Sequence, residues 1–166
     1  MADEIIDLTR YLKQDESTEL PRGSMTLWGA DGERSRFALP LWRIIHLARG
    51  ERGLILRTPV GRPGEVRPYV VLDMAADPAR ADVDPAAVPS FEPDDGPSLL
   101  DLGRDGLAVF LGSRAGFVWT LWVDGTSKRE DTLPARVRED VLFLAGECAG
   151  LLFLRDLADD RGAPGE

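Results

Sequence analysis

Thr26-Leu27-Trp28 recurs in the second half of the chain as Thr120-Leu121-Trp122. Each copy is followed by an Asp-Gly pair and then, at the same spacing, by a Leu-Pro pair, Leu39-Pro40 in the first copy and Leu133-Pro134 in the second. An apolar run follows each Leu-Pro pair. This shared order indicates a degenerate internal duplication, and it organises our prediction of the fold.

The first copy predicts the order strand, strand, helix, strand, strand. A strand over residues 25–28, a hairpin turn at Asp31-Gly32 and a return strand over residues 34–38 come first. Pro40 suits the first turn of a helix, and Gly50 can supply the left-handed residue that ends it. Later strands are predicted for the apolar runs 54–56 and 69–72, separated by a turn at 61–64.

The second copy opens with the clearest hairpin in the sequence. Its arms are residues 107–111 and 117–123, and both arms are almost entirely apolar. A strand that is apolar throughout is typically buried on both faces, so we expect helices on one face and either the other half or a second subunit on the other. Trp119 and Trp122 fall on opposite faces of the same strand.

A helix is predicted after Leu133-Pro134, with apolar residues at helical spacing up to Cys148. The apolar run 151–154 is predicted to be a strand by analogy with the first copy. The alternative is that the helix continues, in which case Gly146 and Gly150 lie one turn apart and allow another backbone to approach closely.

We therefore predict an α+β fold in which two degenerate β-β-α-β repeats pack as one domain of sheet plus helices. Residues 1–19 form an acidic N-terminal segment with a short amphipathic helix over residues 3–13. Residues 20–74 and 99–157 form the two repeat halves. Residues 75–98 form an acidic linker rich in Pro, Ala and Asp, and residues 158–166 form a disordered acidic tail.

The net charge of −9 is unevenly distributed along the sequence. Residues 75–98 carry six acids and one base, whereas residues 22–74 carry nine arginines and five acids. Nucleic-acid-binding proteins normally present an unopposed basic surface, so these acidic flanks argue against nucleic acid as a partner.

The sequence also predicts a cytoplasmic location without membrane insertion. It contains no apolar run near the roughly 18 to 20 residues that a membrane helix requires. The acidic N-terminus is unlike a signal peptide. A single cysteine, Cys148, excludes an intrachain disulfide and suits a reducing compartment.

The sequence offers little for catalysis. The chain has one histidine, His46, and one cysteine, Cys148, so a zinc site is not expected. Cys148 lies in an apolar helical phase, which predicts a buried and inert thiol, and His46 is spaced to stack on Trp42. The glycine patterns that bind phosphates and dinucleotides are absent. We expect no catalytic residue, metal or cofactor, which favours a non-enzymatic role.

Two sets of residues are candidates for binding. Arginines around the predicted turn at 61–64 could hold an anion, or could simply cover a sheet edge; they are Arg57, Arg62 and Arg67. The tryptophans could anchor the core, or could form a protein interface, where Trp and Arg are enriched; they are Trp28, Trp42, Trp119 and Trp122.

The leading hypothesis is a small soluble non-catalytic module for protein interaction or regulation, acting through a protein partner or as a homodimer. The alternative is a protein that binds a small molecule or anion, or a hydrolase, with its site in the cleft between the two halves.

Overall fold

The computed structural model describes residues 4–7, 26–30, 34–76, 78–95 and 98–162, and these form an α+β fold. The strands are β1 (Glu4–Asp7), β2 (Thr26–Ala30), β3 (Arg52–Pro59), β4 (Arg67–Asp73), β5 (Leu99–Asp101), β6 (Leu107–Arg114) and β7 (Phe117–Asp124). The helices are α1 (Ala38–Ala48) and α2 (Ala135–Gly162), with short 3-10 segments at Arg34–Phe37 and Gly103–Asp105.

All seven described strands belong to one antiparallel sheet, in the order β1-β2-β4-β3-β7-β6-β5. The two sequence halves meet where β3 pairs with β7, in a register that runs from Arg52 opposite Asp124 to Pro59 opposite Phe117. This seam is closed by backbone pairing along the whole of both strands. A cavity between the halves must therefore lie on a face of the sheet and not within its plane.

Each face of the sheet has its own hydrophobic core. The helix-side core lies beneath α1 and α2 and includes Ile45, Trp119 and Val141. The cover-side core lies on the opposite face and includes Leu56 and Trp122. Alternation along β7 sends successive side chains to opposite faces, so Trp119 and Trp122 enter different cores, as predicted. The expectation that both faces are covered is confirmed.

The predicted return strand over residues 34–38 is wrong. Both edges of β2 are already occupied, one by β1 and the other by β4, so a return strand has no place to pair. The chain forms a 3-10 segment and then α1, whose left-handed C-terminal residue is Arg49 (φ 54°) and not Gly50. Gly50 is needed for space, because a Cβ there would lie 2.4 Å from Cγ1 of Val123.

The predicted N-terminal helix over residues 3–13 is also wrong where the chain is described. Residues 4–7 form β1, which pairs with β2 in a register that includes Asp7 opposite Thr26. Ile5 and Ile6 are β-branched, and such residues favour strands over helices. The remainder of the acidic N-terminal segment lies outside the described residues.

Helix α2 replaces the strand predicted over residues 151–154. Its buried residues continue one helical phase without a break, through Val141, Leu144, Ala145, Cys148 and Leu152. This periodicity shows that the helix continues through residues 151–154, which was the alternative prediction. Residues 158–162 of the predicted tail also lie in α2. The second half therefore lacks the last strand of the predicted repeat, and the two halves share only a strand, a Leu-Pro pair and a helix.

Candidate functional site

Residues 78–95, which we call the cover segment, lie across the second face of the sheet. No residue of this segment belongs to a helix or strand, consistent with its four prolines, which disfavour regular structure. Val88 is buried in the cover-side core, and Phe91 packs against Phe110 with ring centroids 5.4 Å apart. The segment predicted to be a linker thus covers the face for which the sequence predicted the other half or a second subunit.

A buried carboxylate at the end of β4 binds the chain that leads into the cover segment. One oxygen of Asp73 accepts hydrogen bonds from the backbone N–H groups of Ala75 (3.0 Å) and Ala76 (3.1 Å). The other accepts one from Nε of Arg80 at 2.8 Å. Burial would raise the pKa of Asp73, but these hydrogen bonds outweigh it and hold the pKa below its usual range. The ionised carboxylate therefore fixes this turn of the chain.

Arg52 completes this attachment from the neighbouring strand. Its Nε donates to the carboxylate of Asp124 at 3.0 Å. Its Nη1 donates to the backbone carbonyls of Arg80 (2.9 Å) and Asp82 (2.6 Å). Arg52 lies opposite Asp73 on one side and Asp124 on the other, so the sheet register brings the three together. We call Arg52, Asp73, Arg80 and Asp124 the anchor cluster.

A second buried carboxylate, Asp101, holds the loop that leads into α2. It accepts hydrogen bonds from the backbone N–H groups of Gly103 (3.0 Å) and Leu133 (2.6 Å) and from the buried guanidinium of Arg129. Burial would raise the pKa of Asp101, but these donors lower it below the usual range. Asp101 thus fixes the loop before α2 on the helix side, as Asp73 fixes the start of the cover segment on the other side.

A cavity of about 310 Å³ lies beneath the cover segment, at the opposite end of the strands from the anchor cluster. Its floor is the seam between the halves, where Thr58 lies opposite Val118 and Thr120 follows on the same face. Its walls are the turn between β3 and β4 and the cover segment from residue 88 to residue 93, including Phe91 and Glu92.

The lining of the cavity is mainly apolar, with a few polar groups. Most of the lining residues are valines and prolines, and Phe91 adds an aromatic ring. The polar residues in the lining are Thr58, Ser90 and Thr120, which carry hydroxyl groups, and Glu92, which is acidic. Ligand pockets in proteins typically combine such an apolar wall with a small number of polar groups, in volumes of about 300 to 1,000 Å³.

The structure does not bring the three predicted anion-binding arginines to one point. Arg57 and Arg67 are partners across β3 and β4, and the guanidinium of Arg57 lies over the ring of Phe117, 5.3 Å from its centroid. Arg62 lies in the turn between these strands and pairs with Glu65 at 3.6 Å. Anion binding by these residues stays a prediction.

Three of the four tryptophans predicted as a possible interface are buried in the protein core. Trp42 and Trp119 are buried in the helix-side core and Trp122 in the cover-side core, while Trp28 is half-buried against the cover-side core. An interface role for the three buried rings would require these cores to open. His46 stacks on Trp42 with ring centroids 6.0 Å apart, as predicted.

The buried position predicted for Cys148 is confirmed, and its inertness stays a prediction. The residue is fully buried, and burial together with the neighbouring Glu147 raises the pKa of the thiol to about 12. The thiolate needed for nucleophilic attack is therefore scarce at neutral pH. Within the described ranges, no group of three or more His, Cys, Asp or Glu residues could hold a metal ion. No described helix has the length and apolarity needed to cross a membrane.

The sequence alone did not identify the residues of the cavity or the anchor cluster. Thr120 belongs to the recurring Thr-Leu-Trp motif, but the motif was interpreted only as scaffold. Arg52 and Asp73 each sit at the end of an apolar strand, and a charged residue in that position was the available signal. Glu92 was assigned to the linker, and nothing in its local sequence indicates that it lines a cavity.

Comparison with known proteins assigns no family. No family model and no curated protein matches the sequence. One solved structure that is similar to this chain is the crystal structure of the GAF-B domain of DevS from Mycobacterium smegmatis. The sequences are 18% identical, the match covers 78% of this chain and 98% of that one, and the TM-score is 0.49.

Proposed function

We propose that this protein is a non-catalytic binding domain whose ligand is a small, largely apolar molecule held between the sheet and the cover segment. The observation that carries this proposal is the cavity of about 310 Å³ above the β3–β7 seam. It matches the alternative function considered from the sequence, a ligand site between the two halves, although it lies on a face of the sheet.

The two sides of the cavity differ in a way that suits ligand binding. The floor consists of side chains from two central, fully paired strands, so its geometry is set before a ligand arrives. The wall consists of irregular chain whose far end is tied down by the anchor cluster. Pro89 and Pro93 restrict the backbone of this wall. Such an arrangement allows entry while limiting the ordering that binding requires.

A fragment screen by ligand-observed NMR tests this proposal, with a variant that fills the cavity. Ser90 lines the cavity and is exposed, so Ser90→Trp should occupy the space with little effect on the fold. Ser127→Trp is the matched control, because Ser127 is exposed in the loop after the opposite end of β7. Fragments should bind the wild type and the control and lose at least about tenfold in affinity with Ser90→Trp. Unchanged binding to Ser90→Trp, or no binding fragment, would contradict the proposal.

A second candidate function is contact with another protein through α2, and the favouring observation is Phe143. This side chain is 71% exposed, and the neighbouring Leu142 is also exposed. A Cβ at Gly146 or Gly150 would meet nothing within 4 Å, so the helix surface beside Phe143 is open. Large exposed apolar side chains of this kind commonly mark interaction surfaces.

For this surface we propose a second copy of the chain as the partner, with the two α2 helices antiparallel. A bulky Phe143 and two bare glycines on one helix form a self-complementary surface, as a twofold interface requires. The first turn of α2 contains Arg136 and Arg138 and no acid. The sequence places Asp159, Asp160 and Arg161 in its last turn, which is therefore net acidic. Antiparallel packing places the basic end of each helix near the acidic end of the other.

Light scattering after size exclusion tests this second candidate. The wild type should be a dimer at micromolar concentrations, and Phe143→Glu should be a monomer. Leu100→Glu is the matched control, since Leu100 is an exposed apolar residue on the edge strand β5. A monomeric wild type excludes the second copy, and a dimer that survives Phe143→Glu places the interface elsewhere.

A further inference from the structure

The cavity has an electrostatic bias that its shape does not reveal. Glu92 is the only charged residue among the described residues that line it, and none of those residues is Lys, Arg or His. Arg62 lies in the turn beside the cavity, and it is paired with Glu65. The lining therefore combines one acidic residue and three hydroxyl-bearing residues with an apolar wall.

The position of Glu92 at the cavity wall is set by a closed turn. The backbone N–H of Glu92 donates to the carboxylate of Asp95 at 2.7 Å. The backbone N–H of Asp95 donates to the carbonyl of Glu92 at 3.0 Å. These two hydrogen bonds hold residues 92–95 together at the end of the cover segment, so the backbone that carries Glu92 is fixed at the cavity wall.

We propose that the ligand is a small apolar molecule that carries a cationic amine, with the amine at Glu92 and the apolar body against Phe91 and Val118. This inference rests on the proposed function of the cavity and adds the chemical class of its ligand. A carboxylate or phosphate in the same space would lie near Glu92, and none of the residues that line the cavity is positively charged to offset the repulsion. An ammonium group is attracted to Glu92 and can donate hydrogen bonds to Thr58 or Thr120.

The wider charge distribution supports the same preference. The stretch from residue 75 to residue 98 carries six acids and one base, and the whole chain has a net charge of −9. Asp94 and Asp95 are exposed beside Glu92. A surface lined by one sign of charge raises the local concentration of ligands of the opposite sign and speeds their association.

Three probe molecules of similar size separate charge from shape: 2-phenylethylamine, 2-phenylethanol and 3-phenylpropionate. Dissociation constants are measured by NMR titration of the full-length chain at pH 7 and low ionic strength. The amine should bind tightest and the carboxylate weakest, with each step about two- to fivefold, the range expected for a solvent-exposed ion pair. High salt should narrow the differences, because exposed charges are screened.

Glu92→Gln identifies the residue responsible. This variant should bring the amine and the alcohol to about the same affinity. Glu139→Gln is the matched control, because it makes the same change at an exposed position on α2 and should keep the preference for the amine.

The outcomes distinguish this inference from the proposed function beneath it. Equal affinities for the three probes in the wild type would overturn the amine class and leave small-molecule binding intact. A preference that persists in Glu92→Gln would overturn the role of Glu92. If the fragment screen finds cavity ligands but none of the three probes binds, the amine class is wrong. If the screen finds no cavity ligand, the proposed function itself is wrong.

Discussion

The two faces of the sheet are covered in different ways. On one face, α1 and α2 bury a continuous set of side chains, with Leu41, Ile44 and Leu121 fully buried. On the other face, the irregular cover segment contributes Val88 and Phe91 and leaves a cavity near its end. Regular helices present a close-packed apolar stripe, whereas irregular chain must also satisfy its own backbone groups and fills space less completely. In the function proposed above, the helix side contributes mainly to stability and the cover side carries the ligand site.

Each cover is attached through a buried carboxylate, and the partners of the two carboxylates differ in exposure. Asp101 binds Arg129, whose side chain is 3% exposed. Asp73 binds Arg80, whose side chain is 53% exposed. When its carboxylate is removed, Arg80 can turn to water, but Arg129 cannot. The attachment on the helix side should therefore be the more costly one to break.

The largest effect is expected for Asp101→Ala. The substitution leaves the buried guanidinium of Arg129 without its counter-ion and removes the acceptor for the N–H groups of Gly103 and Leu133. We expect a loss of roughly 3 to 5 kcal/mol in the free energy of unfolding, as for other broken buried ion pairs. Urea unfolding followed by circular dichroism measures it, with Asp105→Ala as an exposed control. A loss below about 1 kcal/mol would show that Asp101 is not an essential attachment.

A smaller and more local effect is expected for Asp73→Ala. Removal of this carboxylate frees the Arg80 side chain to solvent and leaves the backbone N–H groups of Ala75, Ala76 and Arg80 without their acceptor, so the cost should be about 1 to 3 kcal/mol. Hydrogen exchange should accelerate in residues 74–82 and change little in α1. If exchange accelerates equally throughout the sheet and helices, the cover segment is not an independently attached unit.

The same two carboxylates predict how stability depends on pH. Both have pKa values below their usual range in the folded protein. Their contribution is fully present above the pKa of an unfolded aspartate, about 3.9, and is lost as the pH falls through the lower folded values. The free energy of unfolding should therefore decrease below about pH 4. Asp73→Ala and Asp101→Ala should each show a shallower decrease, and an unchanged slope in both would contradict this assignment.

The smallest effect on stability is expected for Glu92→Gln. Glu92 is exposed, and its backbone hydrogen bonds with Asp95 survive the substitution. The free energy of unfolding should change by no more than about 0.5 kcal/mol. The same urea experiment measures this. A larger loss in the free energy of unfolding would mean that the Glu92 carboxylate stabilises the cover segment, which would argue against a role in ligand binding alone.

For the two faces of the sheet, the sequence predicted the features that depend on local apolar periodicity. The hairpin of β6 and β7, the apolar phase of the helix after Leu133-Pro134 and the need for cover on both faces follow from apolar spacing within each segment. Apolar spacing does not reveal that residues 78–95 cover the second face of the sheet, because the prolines of this segment indicate only that it lacks regular structure. The strand predicted over residues 151–154 is wrong because Leu152 continues the buried helical phase of α2, whereas the analogy with the first half predicted a strand.

The candidate site was predictable only in outline. A ligand site between the halves was considered from the sequence, but its residues come from three separated parts of the chain: Thr58 on β3, Thr120 on β7 and Glu92 on the cover segment. These positions meet because β3 pairs with β7 and the cover segment crosses above them. Neither the pairing nor the crossing is encoded in a local pattern, whereas the arginines predicted to bind an anion lie around a turn that the local sequence indicates.

The most direct test of the account is a map of amide chemical-shift changes in the full-length protein on addition of 2-phenylethylamine. We predict changes in residues 58–66, 88–93 and 118–120, the three segments around the cavity, with the amides of α1 and α2 unaffected. Changes centred on α1 or α2, or no changes up to millimolar concentrations of the amine and of the fragments found by screening, would contradict the claim that the irregularly covered face is the functional one.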